Sequence, residues 1–270
     1  MKDPGNLRRV PRLETRPVAG RADVAAHFDG LAPTYRDVHG DAAEGLARRL
    51  GLIRALLAGR HRGTLLEIGC GTGIHLVPLA ADFERAVGTD LSPAMVGAAR
   101  EAAARVPWGG RVEVRVDPAE ELATVADGSA DAVLCVGALE HMLDRPRVLA
   151  QVRRVLVPGG AFVCLTPNGG WWWYRYLAPR LRLATRHLST DRFLTAAELA
   201  RLAAGAGLAV GAVETWPFVP RGDMPRLWAA LFSALDPLAA RLGVAGLRGG
   251  LALAADRPQE IAGARASTSS

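Results

Sequence analysis

The sequence lacks several features that would place the protein in other classes. Its 270 residues contain no run of about 20 uncharged apolar residues, which argues against a membrane-spanning helix. The three cysteines lie in a glycine-rich loop (Cys70) and in two apolar runs (Cys135 and Cys164). We therefore predict buried thiols in a reducing compartment, not a disulfide framework. The basic N-terminal segment has no apolar centre and does not resemble a secretory signal, so we expect a cytoplasmic protein.

Lysine is almost absent, because Lys2 is the one lysine and arginine supplies the rest of the basic charge. The net charge of +6 is concentrated in two places. Residues 1–21 carry six basic and two acidic side chains, and residues 171–192 carry five and one. An excess confined to a tail and one segment does not indicate a nucleic-acid-binding face, so we predict no nucleic-acid partner.

Two kinds of segment alternate from Gly63 onward. The segments TLLEIG, RAVGTD, RVEVRV, DAVLCV and GAFVCLTP are rich in branched residues and predict strands. Residues 74–81, 92–105 and 144–156 have helical periodicity. Strands that alternate with helices predict an α/β fold, in which a parallel sheet carries helices on both faces.

Segments on either side of this core complete a single predicted domain over residues 22–257. Helices are predicted within residues 22–62, at about 195–205 and at about 223–242, and strands at about 208–216 and 247–255. Residues 1–21 contain proline, glycine and arginine and predict a disordered basic tail. Residues 258–270 predict a second, polar tail.

The segment LLEIGCGTG, residues 65–73, joins the first predicted strand to the first helix. Gly69, Gly71 and Gly73 let the backbone turn sharply and approach a ligand closely. The amide groups at the start of the following helix favour a negatively charged group. A nicotinamide-binding loop would have glycine at position 74, where this chain has Ile74.

Two carboxylates follow the next two strands. Asp90 ends the second strand, where a carboxylate can accept both ribose hydroxyls of a nucleoside. Asp117 ends the third strand and is placed to reach an adenine amino group.

At these residues the sequence resembles the class I methyltransferases that use S-adenosylmethionine (SAM). Residues 134–168, LCVGALEHMLDRPRVLAQVRRVLVPGGAFVCLTPN, are similar to the branch that contains the ubiquinone and menaquinone biosynthesis methyltransferases. The resemblance covers about Phe28 to Asn168, and it is more specific for the cofactor than for the substrate. It implies a Rossmann-like sheet of seven strands, mostly parallel with an antiparallel last strand, and an N-terminal helical lid.

The resemblance also implies roles for the cofactor-binding residues. The glycine loop would hold the methionine part of SAM, with Glu67 orienting it and Tyr35 covering it. Asp90 would bind the ribose. Asp117 and the neighbouring backbone would read the adenine, against which Met95 packs. The predicted cofactor site comprises Tyr35, Glu67, Gly69, Gly71, Gly73, Asp90, Leu91, Met95, Asp117, Pro118 and Ala119.

His141, in the segment ALEHML, follows the fourth strand at the edge where open α/β sheets bind ligands. A neutral imidazole can take a proton from an acceptor hydroxyl, so His141 is a candidate base. The alternative is that it only orients a loop, and Glu140 beside it is equally compatible with a structural role. His187 is a second candidate base. The other histidines lack the spacing of metal ligands, and we predict no metal site.

The segment NGGWWWYRYLAPRLR, residues 168–182, places three consecutive tryptophans next to arginines. Adjacent helical residues point about 100° apart, so Trp171, Trp172 and Trp173 cannot all face one core. Because the segment follows the fifth strand, we predict a lid insertion over residues 169–194 whose tryptophans line an apolar acceptor pocket. Residues 171–186 also predict a peripheral membrane contact. The alternative is a lid with its own aromatic core and solvated arginines.

The sequence therefore predicts a SAM-dependent methyltransferase that acts on a small, apolar molecule. Oxygen is the favoured acceptor atom. Methylation of carbon or nitrogen, and a SAM-binding protein without methyl transfer, remain alternatives.

Overall fold

One sheet organises the chain. The computed structural model describes residues 15–35, 43–220 and 224–259, and within them seven strands lie in the order β3-β2-β1-β4-β5-β7-β6. Strands β1 to β5 pair in parallel, and β7 is antiparallel to both β5 and β6, which confirms the predicted sheet. The strands are β1 Thr64–Ile68, β2 Arg85–Asp90, β3 Val112–Val116, β4 Ala130–Val136, β5 Leu156–Pro167, β6 Ala209–Trp216 and β7 Gly250–Asp256.

Helices begin and end close to the bounds that the sequence predicts, because their caps are encoded locally. Ser92 accepts a hydrogen bond from the Met95 amide at 3.1 Å, and Pro93 follows this cap. Asp144 likewise accepts from the Arg147 amide at 3.1 Å. The helices are α1 Arg21–Leu31, α2 Ala43–Leu56, α3 Leu76–Leu79, α4 Pro93–Ala104, α5 Arg145–Val155, α6 Ala178–Arg180, α7 Ala196–Gly205 and α8 Arg226–Leu242.

The hydrophobic core has one part on each face of the sheet. Successive strand residues point to opposite faces, so Leu65 packs in the core that contains residues of α2 and α4, whereas Leu66 packs with residues of α5 and α7. Burial on both faces explains why the central strands are continuous apolar runs. Because β1 pairs in parallel with β2 and β4, the carboxyl ends of these strands lie side by side at one edge of the sheet. Ligands bind at this edge in such sheets.

The N-terminal segment is ordered earlier in the chain than the sequence predicts. The Arg16 amide donates a hydrogen bond to the His187 carbonyl at 2.8 Å, and the Ser189 amide donates to the Arg16 carbonyl at 2.8 Å. The prediction of a disordered tail is therefore wrong for residues 15–21, because backbone groups there pair with the insertion after β5. Residues 1–14 of that predicted tail, and residues 260–270 of the C-terminal one, lie outside the described residues.

The insertion after β5 builds its own aromatic core with α8. Trp171 and Trp173 are fully buried. The Trp171 ring meets the Phe232 ring edge to face, with centroids 4.8 Å apart. Trp173 lies 6.2 Å from the Trp228 ring. Because Trp228 and Phe232 belong to α8, the insertion is held by a helix more than fifty residues further along the chain.

The middle tryptophan points away from this core. Trp172 is 46% exposed, whereas its two neighbours have no exposed surface. Of the two predictions for the insertion, the structure therefore supports a lid with its own aromatic core. The predicted lining of an acceptor pocket by the tryptophans is not what the structure shows, because the buried pair is used in packing.

This packing predicts different stability effects for neighbouring tryptophans. Trp173→Ala should lower the free energy of unfolding by about 3–5 kcal/mol, because it leaves a large cavity in the aromatic core. Trp172→Ala is the matched control and should cost much less, since nearly half of that side chain is already in water. Denaturant unfolding of the two variants measures both values, and equal losses would contradict this packing.

Candidate functional site

A cavity opens at the carboxyl ends of β1, β2 and β4, beside α1. It contains about 670 Å³ of empty space, counted to its open mouth. Most of the predicted ligand-binding residues meet there. Those that line it are Tyr35, Gly69, Gly71, Asp90, Leu91, Met95, Asp117, Ala119 and His141.

Other predicted site residues do not line this cavity. Glu67 and Gly73 belong to the strand and loop next to it, and Pro118 contributes its carbonyl to the turn that follows Asp117. His187 lies in the insertion. The cavity wall contains none of the three tryptophans, because Trp171 and Trp173 are buried in the aromatic core and Trp172 is exposed at the surface.

The glycine loop comes close to its neighbours at Gly69 and opens toward the cavity at Gly71. Both residues have positive φ angles, 65° and 52°. A Cβ at Gly69 would lie 2.5 Å from the Ala138 side chain, so only glycine lets the loop approach the end of β4. A Cβ at Gly71 would have only the Tyr35 ring nearby, at 3.8 Å, and a longer side chain there would enter the cavity.

Asp90 fixes the loop to the end of β2. Its carboxylate accepts hydrogen bonds from the Gly71 amide at 2.8 Å and from the Ser92 amide at 2.9 Å. Burial raises the pKa of Asp90, whereas these amide donors act in the opposite direction. A carboxylate has about four acceptor positions, so Asp90 keeps acceptor capacity for a ligand in the cavity.

Glu67 is a buried carboxylate with unsatisfied oxygens. Its side chain is buried in β1 beneath the glycine loop, and neither oxygen has a hydrogen-bond partner. The nearest basic nitrogen, His75 Nδ1, lies 3.4 Å from one oxygen. A buried carboxylate without partners is costly, so this position suits a cationic or hydrogen-donating group of a ligand.

Asp117 organises its own loop. Its carboxylate accepts from the Ala123 amide at 3.1 Å, from the Thr124 amide at 2.7 Å and from the Thr124 hydroxyl at 2.6 Å. Three of its acceptor positions are therefore used within the protein. Met95, 1% exposed, forms another part of the cavity wall at the start of α4.

Tyr35 closes the side of the cavity near the glycine loop. Removal of its hydroxyl from solvent, and then the negative charges of Glu140 and Asp90, raise the pKa of Tyr35 to about 12. The phenol is therefore neutral at physiological pH.

His141 is held by an aspartate of the insertion. His141 Nδ1 lies 2.7 Å from Asp191 Oδ1, and the side chain of Asp191 is fully buried. Asp191 also accepts from the amides of His187 at 3.0 Å and Leu188 at 2.9 Å. Since an ionised carboxylate only accepts, the proton of a neutral His141 ring lies on Nδ1, which leaves Nε2 as the basic nitrogen.

The surroundings of His141 raise its pKa. Burial alone would lower it, but the hydrogen bond that His141 donates to Asp191 and the charge of Glu140 outweigh burial and raise the pKa of His141 above 6.5. Burial likewise acts to raise the pKa of Asp191, and the hydrogen bond with His141 reverses this and lowers it. The pair is therefore a carboxylate and an imidazole that keeps its proton to a higher pH than usual.

Glu140 and Arg145 support the turn that carries His141. Glu140 is buried and accepts from the Thr166 hydroxyl at 3.1 Å, and burial raises its pKa. Arg145 donates to the Leu139 carbonyl at 3.0 Å and to the Glu140 carbonyl at 2.6 Å. These contacts support the structural role that the sequence left open for Glu140.

The second candidate base, His187, lies next to another histidine. The ring centroids of His187 and His27 are 6.4 Å apart. Burial first, and then the charges of Arg16, His187 and His141, lower the pKa of His27 to about 4. His27 is thus neutral at physiological pH and, with Phe28, it connects α1 to the histidines of the other two segments.

Several site residues were missed by sequence reasoning. Asp191 is the most important of them. In the sequence it is only an acidic residue four positions after His187, and nothing there indicates its contact with His141. Phe28, whose ring meets the His141 ring at 5.2 Å, lies in the segment predicted as a lid. The cavity wall also contains Arg21, Val24, Glu120, Gly137, Ala138, Met142 and Leu143.

Neither a cluster of metal ligands nor a membrane-spanning helix occurs among the described residues. No group of three or more histidine, cysteine, aspartate or glutamate side chains in that part of the chain is arranged to hold a metal ion. The prediction that no metal takes part stays a prediction. None of the helices in the same residues is both long and apolar enough to cross a bilayer.

Comparisons with known proteins agree with this geometry. Residues 66–164 match the protein family described as "Methyltransferase domain". The ubiquinone biosynthesis O-methyltransferase of Xanthomonas axonopodis pv. citri (strain 306) is 31% identical over 174 residues, which cover 60% of this chain and 70% of that one.

Two further matches extend the comparison. An uncharacterized 37.1 kDa protein in transposon TN4556 of Streptomyces fradiae is 34% identical over 201 residues, 71% of this chain, which spans about half of that protein (54%). The solved structure of the cyclase SpnF has a TM-score of 0.68 at 22% identity and covers 92% of this chain and 100% of its own, a likeness of fold. By its sequence relatives and the cavity at its sheet edge, the chain belongs to the SAM-dependent methyltransferases.

Proposed function

We propose that this methyltransferase transfers the methyl group of SAM to a hydroxyl of a small, largely apolar molecule, with His141 as the base. The observation that carries the proposal is the hydrogen bond between His141 and the buried Asp191 at the cavity wall. It fixes the ring tautomer so that Nε2 is the basic nitrogen of a neutral His141.

The cavity residues suit SAM at both of its ends. The unused acceptor positions of Asp90 match ribose hydroxyls, and the buried Met95 offers an apolar wall for the adenine. The unsatisfied carboxylate of Glu67 beneath the glycine loop matches the ammonium group of the methionine part. When bound, SAM supplies a methyl group activated by its sulfonium charge.

The remaining wall of the cavity favours an apolar acceptor. Val24 and Phe28 of α1 face the same space as Met142 and Leu143, which follow His141. These side chains can bury an apolar ring or chain, and burial of such surface is the main source of affinity for an apolar ligand. A polar group of the acceptor then needs a specific partner, which His141 provides.

A base supports oxygen as the acceptor atom. A hydroxyl is a weak nucleophile until its proton is removed, and a well-placed imidazole adds about 10²–10⁴-fold to the rate. The hydrogen bond to Asp191 and the charge of Glu140 raise the pKa of His141, which makes the neutral ring a stronger base. The relative from Xanthomonas is named as an O-methyltransferase, which also favours oxygen over carbon and nitrogen.

The membrane contact predicted through residues 171–186 is part of this proposal. Trp172 and Tyr176 of that segment are 46% and 43% exposed, so aromatic side chains remain available outside the lid core. Amphipathic rings of this kind favour the boundary between water and lipid. Such a contact would bring the enzyme close to an apolar acceptor dissolved in the bilayer.

The cofactor site predicts opposite results for two glycine substitutions. S-adenosylhomocysteine at 100 times its dissociation constant should stabilise the parent protein by about 2.7 kcal/mol. Gly71→Arg should abolish this effect, because the new side chain enters the cavity. Gly59→Arg is the matched control, since Gly59 has a similarly positive φ of 74° but open space around it.

A thermal-shift titration measures both variants. Both variants should be less stable than the parent without ligand, because arginine is strained at a positive φ. The Gly59→Arg control should still gain the full stabilisation when ligand is added. A Gly71→Arg protein that still gains stability with S-adenosylhomocysteine would show that the ligand binds elsewhere.

The proposed base predicts a specific pH dependence. Neutral imidazole is the active form, so the turnover number should rise with pH through a midpoint above 6.5, because the pKa of His141 is raised. His141→Ala should lower turnover by about 10²–10⁴-fold while the affinity for SAM changes little. Transfer of labelled methyl groups to a phenolic acceptor, followed across pH, measures both effects.

Asp191→Asn and His187→Ala separate the base from its neighbours. Removing the negative charge of Asp191 should move the midpoint to lower pH and reduce turnover, whereas His187→Ala should leave turnover within a few-fold of the parent. If His141→Ala keeps normal turnover and the same pH profile, His141 is structural and the proposal fails.

A further inference from the structure

Helix α8 has an apolar face that the described chain leaves uncovered. Leu227, Leu231, Leu238 and Leu242 are 78%, 44%, 54% and 64% exposed. They are spaced by four, seven and four residues, so they form one row along the helix. Single exposed leucines are ordinary on a protein surface, but a continuous row marks an interaction site.

The same helix already buries a different apolar face. Phe232 and Ala239 are buried, and Trp228 packs beside Phe232 in the aromatic core with the insertion. Folding of the domain therefore accounts for one side of α8. The leucine row is a second apolar side that this packing does not explain.

One exposed aromatic residue of the insertion, Trp172, lies beyond the end of this row. The Trp172 indole lies next to Gly246, four residues beyond Leu242 at the end of α8. Tyr176 lies four residues after Trp172, about one turn further along the helical segment Trp173–Leu177. The guanidinium carbons of Arg175 and Arg180 lie 5.6 and 5.8 Å from the centroid of the Tyr176 ring. Rings next to arginines are typical of the boundary between apolar and charged surroundings.

The charge around this surface has one sign. Residues 171–190 contain no acidic side chain, and the one acid of α8, Asp236, pairs with Arg248 at 2.9 Å. Seven arginines of the insertion and α8 are exposed: Arg175, Arg180, Arg182, Arg186, Arg192, Arg226 and Arg241. Of these, Arg192 pairs with Glu198 at 2.8 Å. The complementary surface is therefore apolar in its centre and negatively charged at its edge.

We propose that the leucine row of α8 inserts into the interface of an anionic membrane, with the arginines on its phosphate groups. This inference rests on the proposed membrane contact of residues 171–186 and makes α8 its main apolar element. A helix of 17 residues is about 25 Å long and lies in the interface plane instead of crossing the bilayer. Each arginine near such a surface adds attraction that salt weakens.

Charge favours a membrane over a second copy of the chain. In a symmetric dimer built on this face, the same patch of each copy would meet the other. The arginines of both copies would then come together without acidic partners, and like charges across an interface are unfavourable. A bilayer rich in phosphatidylglycerol instead offers negative headgroups over an apolar interior.

Vesicle sedimentation with matched variants tests the inference. The parent protein should bind vesicles of equal parts phosphatidylglycerol and phosphatidylcholine, bind pure phosphatidylcholine weakly, and lose affinity as salt is raised. The double variant Leu231→Gln/Leu238→Gln should reduce affinity for the anionic vesicles at least about tenfold. The control Ser233→Gln/Ala240→Gln puts the same side chains at exposed positions away from the row and should bind like the parent.

Folding is checked by the S-adenosylhomocysteine thermal shift, which should be the same in all these proteins. If the glutamine pair at Leu231 and Leu238 unfolds the protein, Leu231→Ala/Leu238→Ala replaces it and should still weaken binding several-fold. Normal vesicle binding by the leucine variants overturns the inference.

Other outcomes separate this inference from the proposal on which it rests. If Trp172→Ala/Tyr176→Ala loses vesicle binding while the leucine variants keep it, the contact through residues 171–186 stands and the role of α8 fails. If the parent does not bind anionic vesicles, both fail. A parent dimer that becomes a monomer in the leucine variant assigns the face to a second copy and also overturns the inference.

Discussion

The hydrogen bond between His141 and Asp191 joins parts of the chain that meet at one side of the cavity. His141 belongs to the turn after β4, and Asp191 to the insertion after β5. The N-terminal segment meets the same place, because Arg16 pairs with the backbone at His187 and Phe28 lies against the His141 ring. A buried aspartate is costly without partners, so its two amide donors and the imidazole determine how these three segments can pack.

The insertion that carries Asp191 is packed on α8 through its aromatic core. Trp171 and Trp173 fix the start of the insertion on α8, and Asp191 lies near its end. The two buried tryptophans thus pack the insertion on α8 and do not line the cavity. This division also accounts for the three consecutive tryptophans, because Trp171 and Trp173 are buried in the core and Trp172 remains at the surface.

That the glycine loop and Asp90 meet at one cavity, where we propose that SAM binds, could be predicted from the sequence because the determinants are local. The glycines and Asp90 lie at the ends of adjacent strands, and parallel pairing of β1 with β2 brings those ends together without further information. The surroundings of His141 could not be predicted in the same way. The contact of His141 with Asp191 spans 50 residues. It depends on how the insertion packs on α8, which no local pattern of residues determines.

Contacts between distant segments also explain why the order of residues 15–21 and the outward face of α8 could not be predicted from the sequence. Residues 15–20 have the composition of a disordered tail, but their backbone pairs with a segment about 170 residues away. The sequence likewise does not indicate which side of α8 faces outward, because most positions of that helix are apolar. Only the packing of Phe232 and Trp228 shows which side is inward, and therefore that the leucine row is outward.

The tautomer and titration of the His141 ring test the central claim most directly. Nitrogen NMR of protein with labelled histidine, assigned by comparison with His141→Ala, should show the neutral ring protonated on Nδ1 and a midpoint above 6.5. In Asp191→Asn the midpoint should fall. A neutral ring protonated on Nε2, with a midpoint at or below 6.5 that does not change in Asp191→Asn, would contradict the account.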